Sequence, residues 1–308
     1  MIEIFIRIVP FFALVTLGYW AGRTRFFDEE ATAYLTKFVF YFPLSALIFQ
    51  FSSNLTLSEV WNTNLVVGYL LATVTVYLVA TAVGYMRKQD VATTAVEAQC
   101  ATMGNVGFLG IPMLTLLLGP AAIGPIVMAV SIDLAVFSSL IVILITGSRE
   151  GQVNLTTLRT VAVGLIRNPM IVSIAAGLVW SALQLPVPRP ISSFLDILAP
   201  AATPGALFAI GASLASKSAE RLATACWLSF CKLVLHPACV AVALLFLFPV
   251  DAFTAAVVVS AAALPVAGNV YILAQHYDVA PQRASAAILL STIFSIASLS
   301  VIIATVNP

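Results

Sequence analysis

Two short runs in this 308-residue chain carry the residue types and spacing of a shared binding site: Gly104-Asn105-Val106 and Gly268-Asn269-Val270. Each lies in a stretch that a helix would struggle to continue. The first reads Ala101-Thr-Met-Gly-Asn-Val-Gly-Phe-Leu-Gly-Ile-Pro112 and the second Ala263-Leu-Pro-Val-Ala-Gly-Asn-Val-Tyr271. Proline removes a backbone donor and glycine relaxes the helical backbone, so amides and carbonyls are freed in both stretches. A freed helix N-terminus offers N–H groups and partial positive charge to an anion. Asn105 and Asn269 add amides that donate to a carboxylate or accept from a protonated acid. The expected contacts to a bound anion are therefore Asn105 and Asn269 with the flanking Val106 and Val270. Gly104, Gly107 and Gly268 would let the backbone approach it.

A second set consists of ionisable residues inside apolar runs, where each is expensive and functional by default. Asp133, near the middle of its run, reads as a proton or cation site or as the passive partner of the equally deep Lys232. Lys232 and His236 are four apart and so share a helix face. His236 is either a group titrating near neutrality or a packed hydrogen-bonding one. Glu97 and Lys37 are shallow enough to reach the interface along their stems. Arg7 would reach outward or pair with Glu3. Cys100, Cys226, Cys231 and Cys239 lie in apolar runs without CxxC or Cys/His spacing, so no metal site is expected. No GxxxxGK[ST] run is present, and no cofactor is expected.

The elements that must position these residues follow from composition. Apolar and aromatic residues make up 61% of the chain and charged ones 9%, with a mean hydropathy of +1.06. A soluble chain carries roughly a quarter charged residues. So little charge excludes a soluble enzyme, a disordered protein and a nucleic-acid binder, and leaves lipid as the main solvent. Apolar runs fall at 4–22, 32–51, 63–86, 92–118, 121–147, 168–185, 191–215, 222–248, 251–276 and 282–305, which predicts ten membrane-spanning helices, spans 1 to 10. The broken stretches fall in spans 4 and 9. Only 148–167 is a connection of real length, and its second part reads as a basic amphipathic helix on the membrane surface.

Lys and Arg set the orientation. Odd-numbered connections hold Arg23, Arg25, Arg87, Lys88, Arg149, Arg159, Arg167, Lys217, Arg221 and Arg283. Even-numbered ones hold Arg189, with acidic Glu59 and Asp251 nearby. The odd connections are therefore expected in the cytoplasm and both termini outside, in a multi-pass protein of the cell (inner) membrane. Five spans on each side of the central connection suggest a duplication, inverted because five is odd. Pro10 and Gly18 recur as Pro169 and Gly177, Pro43-Leu-Ser-Ala-Leu resembles Pro204-Gly-Ala-Leu, and Gly104-Asn-Val recurs as Gly268-Asn-Val. The offsets, 159, 161 and 164, drift upward as loop insertions require. The expected organisation is all-α: a first five-helix repeat over 1–147, a connection over 148–167 and a second repeat over 168–308. The broken helices 4 and 9 cross between them.

Asn105-Val-Gly-Phe-Leu-Gly-Ile-Pro112 resembles the helix-4 signature of the auxin efflux carrier family. Leu264-Pro-Val-Ala-Gly-Asn-Val-Tyr-Ile-Leu-Ala274, followed by Ala286-Ala-Ile-Leu-Leu-Ser-Thr292, resembles its C-terminal signature; Asn168-Pro169 and Thr203-Pro204 fit as well. The resemblance runs along essentially the whole chain. It implies two inverted five-helix repeats, a fold shared more distantly with bile acid:sodium symporters. By that resemblance spans 1, 2, 6 and 7 form a scaffold and a homodimer contact. Spans 3–5 and 8–10 form a moving transport domain with its substrate site at the crossover, and Pro112 and Pro265 are the crossover prolines. The plant carriers have a long hydrophilic loop where this chain has the connection 148–167, which favours the compact bacterial branch with its proteins named as malonate transporters.

The function expected is secondary transport of a small organic anion, a carboxylate such as malonate or an auxin-like acid, by elevator-type alternating access. A proton or sodium is the candidate coupling ion. The alternatives are a sodium-coupled symporter of bile-acid-like anions and a passive channel or facilitator. An intramembrane enzyme would need catalytic residues at membrane depth, such as paired aspartates, a Ser/His pair or HExxH; Asp133 has no mid-membrane carboxylate partner, and neither histidine sits in HExxH.

Overall fold

The computed structural model describes residues 2–54, 61–150, 155–216 and 222–306, with side chains except at 2–8, 150, 155–158, 164, 165 and 306. Glu59, Lys217 and Arg221 lie outside the described residues, as do the side chains of Glu3 and Arg7. The chain runs through α1 Ile2–Arg23, α2 Glu29–Ser52, α3 Thr63–Met86, α4 Val91–Thr102, α5 Val106–Leu118, α6 Pro120–Arg149 and α7 Leu155–Arg167. It continues through α8 Pro169–Ala182, α9 Arg189–Leu214, α10 Leu222–Leu247, α11 Ala252–Ala262, α12 Gly268–His276 and α13 Pro281–Val306. Among the described residues there is no strand, only one isolated bridge. Among the described residues six helices, α2, α3, α6, α9, α10 and α13, are long and apolar enough to cross a membrane; α5, α8 and α11 are shorter apolar helices. Leu78, Phe246 and Ile197 are at least 60% exposed on these helices, a surface that suits lipid rather than water.

Polar residues at the ends of apolar runs start the helices. Side-chain oxygens of Asp28, Asn62, Asp90, Asn168 and Asp251 accept from amides in the first turn of α2, α3, α4, α8 and α11. The Thr93 amide on the Asp90 carboxylate holds the pKa of that group below the usual range. Gly119, at φ +91°, makes the turn between α5 and α6. Two long helices are interrupted where proline removes a donor: α2 at Phe42-Pro43, and α9 at a tight turn over Ala199–Ala201 around Pro200. Hydropathy alone shows both as continuous spans.

Small residues decide which helices meet. α1 packs along α9, α8 along the second part of α2, and α9 on the first part of α2. A Cβ at Gly211 of α9 would lie 1.9 Å from the Val15 carbonyl oxygen, and one at Gly18 of α1 would lie 2.1 Å from that of Phe208. Gly177 of α8 does the same against Ser52, 2.5 Å from its Cβ. Backbones this close gain packing that larger residues forbid. The obstacle at Gly211 is backbone, which a rotamer change cannot relieve, so Gly211→Val should destabilise by at least about 1–3 kcal/mol. A lowered melting point of the purified variant would show it; an unchanged one would mean α1 and α9 are not in contact.

A second group joins α3 to α4 and α10, α4 to α6, and α13 to α10, α11 and α12. The amphipathic helix expected after the central connection is present as α7, packed on α6 and α8, while 151–154 lie outside the described residues.

Candidate functional site

The broken stretches meet. α4 ends at Thr102 and α11 at Ala262, and the strands of backbone that follow pair as an antiparallel bridge, Gly104 with Val266. The Asn105 amide donates to the Pro265 carbonyl at 2.8 Å and the Ala267 amide to the Met103 carbonyl at 3.0 Å. Pro265 cannot donate and pushes Leu264 away from helical dihedrals, so the break falls there. Asn105, at φ −75° and ψ 55°, is the centre of an inverse γ-turn closed by the Val106 amide on the Gly104 carbonyl at 2.8 Å. One further backbone donor is met from outside: Ser291 of α13 accepts from the Val266 amide at 3.0 Å. Unpaired amides at this depth would be costly, so the pairing explains how two breaks are tolerated together.

The new N-termini of α5 and α12 leave from this crossing. Asn105 is buried at 7% exposure, and its side-chain amide makes no hydrogen bond with a described residue. Asn269 and Gly268 are exposed, and nothing lies within 4 Å of a Cβ built on Gly268. On the other side a Cβ at Gly107 would lie 3.0 Å from Met170 of α8, and Phe108 stacks on Phe40 of α2 at 5.4 Å. The crossing is therefore open beside α12 and covered by α2 and α8 beside α5. Val106 and Val270 are buried and pack in the core. Pro265 lies in the break itself. Pro112 does not: it is in the first turn of the regular part of α5, after a wide turn over Val106–Gly110. A depression of about 660 Å³ lined by Val9, Phe12, Trp20 and Ile296 lies between α1 and α13, and the crossing residues are not among its walls.

Behind the crossing lies a buried polar chain. Lys232, fully buried, donates to the Ala262 carbonyl, the last of α11, where the helix dipole is negative. A Cβ at Gly104 would lie 3.2 Å from its Nζ, so only glycine leaves the ammonium this room. Lys232 Nζ is 3.1 Å from His236 Nδ1, as their spacing of four requires. An ammonium only donates, so Nδ1 accepts and Nε2 carries the hydrogen. Nε2 then donates to Thr73 Oγ1 at 3.1 Å, and that hydroxyl donates to the Tyr69 carbonyl at 2.8 Å. His236 is neutral in this arrangement. The Tyr69 hydroxyl donates to both oxygens of Asp133, at 3.0 and 3.1 Å. Asp133 and Lys232 both sit in wide turns, Asp133–Phe137 and Cys231–Leu235, of the kind often found at functional positions.

Two expectations change here. Lys232 and Asp133 make no ion pair of their own; tyrosine, threonine and histidine stand between them. Glu97 does not reach the interface: it is fully buried, because Arg87 and Arg283 both bond its carboxylate. Arg87 also donates to Thr224 at 2.9 Å and Arg283 to Gln89 at 2.7 Å, so the cluster ties α3, α4, α10 and α13 together. Lys37 is exposed, as expected, over the Tyr34 ring. Sequence reasoning missed Tyr69 and Thr73, and held Ser291 only inside the C-terminal signature, with no role of its own. Tyr69 and Thr73 were legible only as a four-residue pair on one face of span 3. The four cysteines are free, and among the described residues no three His, Cys, Asp or Glu side chains gather as a metal site.

A helical chain with membrane-length apolar helices around a paired backbone break is an integral membrane protein. Comparison with known proteins agrees. The family profile described as Membrane transport protein matches residues 3–303. A protein of Rhizobium meliloti (strain 1021) named "Putative malonate transporter" is 31% identical over 309 residues, covering 97% of this chain and 95% of that one. The chain belongs to the membrane transport protein family, the family of the auxin efflux carriers that its motifs resemble.

Proposed function

We propose that the protein is a secondary carrier of a small organic anion, a carboxylate of the malonate kind, working by elevator-type alternating access. The observation that carries this reading is the crossing, where the side-chain amide of Asn105, with no hydrogen-bond partner among the described residues, and the open N-terminus of α12 converge with a buried cation behind them. The substrate carboxylate accepts from Asn105, Asn269 and the first amides of α12, with Gly104, Gly107 and Gly268 admitting the backbone. Pro265 holds the break open, and Pro112 stiffens the start of α5. The name of the Rhizobium meliloti relative supports malonate as the first ligand to try.

The chain spans the membrane ten times as two inverted five-helix repeats, with both termini outside the cell membrane. Support comes from Gly18 and Gly177, equivalent in the two halves, each of which lets its helix pack against a proline-interrupted partner. Helices α1, α2, α8 and α9 form the scaffold and the homodimer contact; the second packing group carries the crossing and moves against it. Glu97, Arg87 and Arg283 make that group rigid.

Thermal unfolding of the detergent-purified protein across a panel of carboxylates, with and without sodium and at two pH values, tests the reading. A ligand at about 100 times its Kd stabilises the native state by about 2.7 kcal/mol. Malonate or a close relative should raise the melting point selectively. No shift from any carboxylate, with shifts from bile-acid-like or neutral ligands instead, would discard the substrate class; a shift only in sodium would assign sodium coupling.

A further inference from the structure

The buried charges behind the crossing do not balance in every state of such a carrier. Lys232 is fully buried, against the backbone of Gly104 and one residue from Asn105. Asp133 is 5% exposed, and the Tyr69 hydroxyl is its hydrogen-bond partner. The groups facing Asp133 are Tyr69 from α3 and Lys232 from α10. α4, α5, α7 and α11 also pack on α6: α5 and α11 bring no ionisable side chain, α7 brings Arg159 and Arg167, and α4 brings the Cys100 thiol and Glu97, which Arg87 and Arg283 already hold. One cation and one carboxylate thus share a low-dielectric interior, joined through Tyr69, Thr73 and His236. A buried cation is most stable beside a single negative charge; with none or two, an uncompensated charge is left in the membrane.

Resting on the carrier reading, we infer that Asp133 takes up a proton when a substrate carboxylate binds at the crossing, so that anion and proton travel together. In the empty site the Asp133 carboxylate balances Lys232. With substrate bound, the malonate carboxylate at the crossing does so, the second carboxylate lying on the open side beside α12 where water solvates it, and Asp133 is neutralised by a proton from water. One Asp133 oxygen gains the O–H bond and the other keeps the Tyr69 hydrogen bond, so the polar chain to Lys232 survives both states. Binding of anion and proton is then mutually reinforcing, as linkage requires.

Calorimetry of malonate binding to the purified protein in two buffers of different ionisation heat counts the protons. The wild type should take up close to one proton per malonate, its Kd rising about tenfold per pH unit where uptake is complete. Asp133→Asn, which is nearly isosteric and still accepts from Tyr69, should bind malonate with no proton uptake and a Kd independent of pH. Uptake that persists in Asp133→Asn places the proton on the ligand or on Lys232 and overturns the inference, as does wild-type binding without uptake. Failure of malonate to bind the wild type counts against the carrier reading instead. The inference is then decided by the infrared difference spectrum between acid and neutral pH, which should contain a protonated-carboxyl band missing from Asp133→Asn; its absence from the wild type overturns the inference.

Discussion

Glu97→Ala should be the most destabilising single substitution outside the crossing, lowering stability by about 3–5 kcal/mol. Glu97 is fully buried, and its carboxylate is the shared anion of two guanidinium groups. Removing it strands both cations. The Arg87 side chain is 31% exposed and can hydrate, so it contributes the smaller part; Arg283, at 10%, cannot escape and contributes most. Arg283 also sits in the first turn of α13, where the helix dipole repels a cation unless a carboxylate faces it. The melting point of the purified variant should fall steeply, with reduced yield from membranes. Combining Glu97→Ala with Arg283→Met removes one stranded charge and should recover part of the loss. Strictly additive losses in that cycle would show that the two residues are not coupled.

Asn105→Ala should have the largest effect on transport, a loss of about 10- to 100-fold in initial rate, with normal amounts of folded protein in the membrane. A hydrogen bond to a charged group contributes about 1.5–3 kcal/mol, which spans that range. Asn105 is 7% exposed, so water replaces its lost donor less readily than at Asn269. Asn269 is exposed, and its alanine variant should lose only severalfold, since water can take the place of its amide. The backbone of residue 105 makes the bond to Pro265 and closes the γ-turn, and alanine keeps both. A drop in melting point comparable to the drop in rate would point to a structural role. Rates equal to the parent would remove Asn105 from the site.

The two asparagines look interchangeable in the sequence and are not interchangeable in the fold. Identical Gly-Asn-Val runs suggested equal partners, yet α2 and α8 cover one side of the crossing while the other stays open. Pro112 and Pro265 show the same limit. Both are prolines near a break, but only Pro265 precludes helix at the point where the two backbones pair. Further along α5 the chain tolerates Pro112 in a first turn, where no intrahelical donor is needed.

What the sequence by itself determined are properties that reside in one segment: a lipid-solvated helical chain, its apolar runs, and the breaks at Gly104 and Pro265. The shared face of Lys232 and His236 belongs with these. Hydropathy and the missing proline donor are local, so a single segment settles each. Tertiary structure alone decided the partners of the buried charges. Glu97 meets Arg283 across 186 residues of chain, Tyr69 meets Asp133 across 64, and Lys232 meets Ala262 across 30. Which charge neutralises which depends on how helices pack. That packing is set by close backbone approach at residues such as Gly18, Gly177 and Gly211, whose partners no local pattern names.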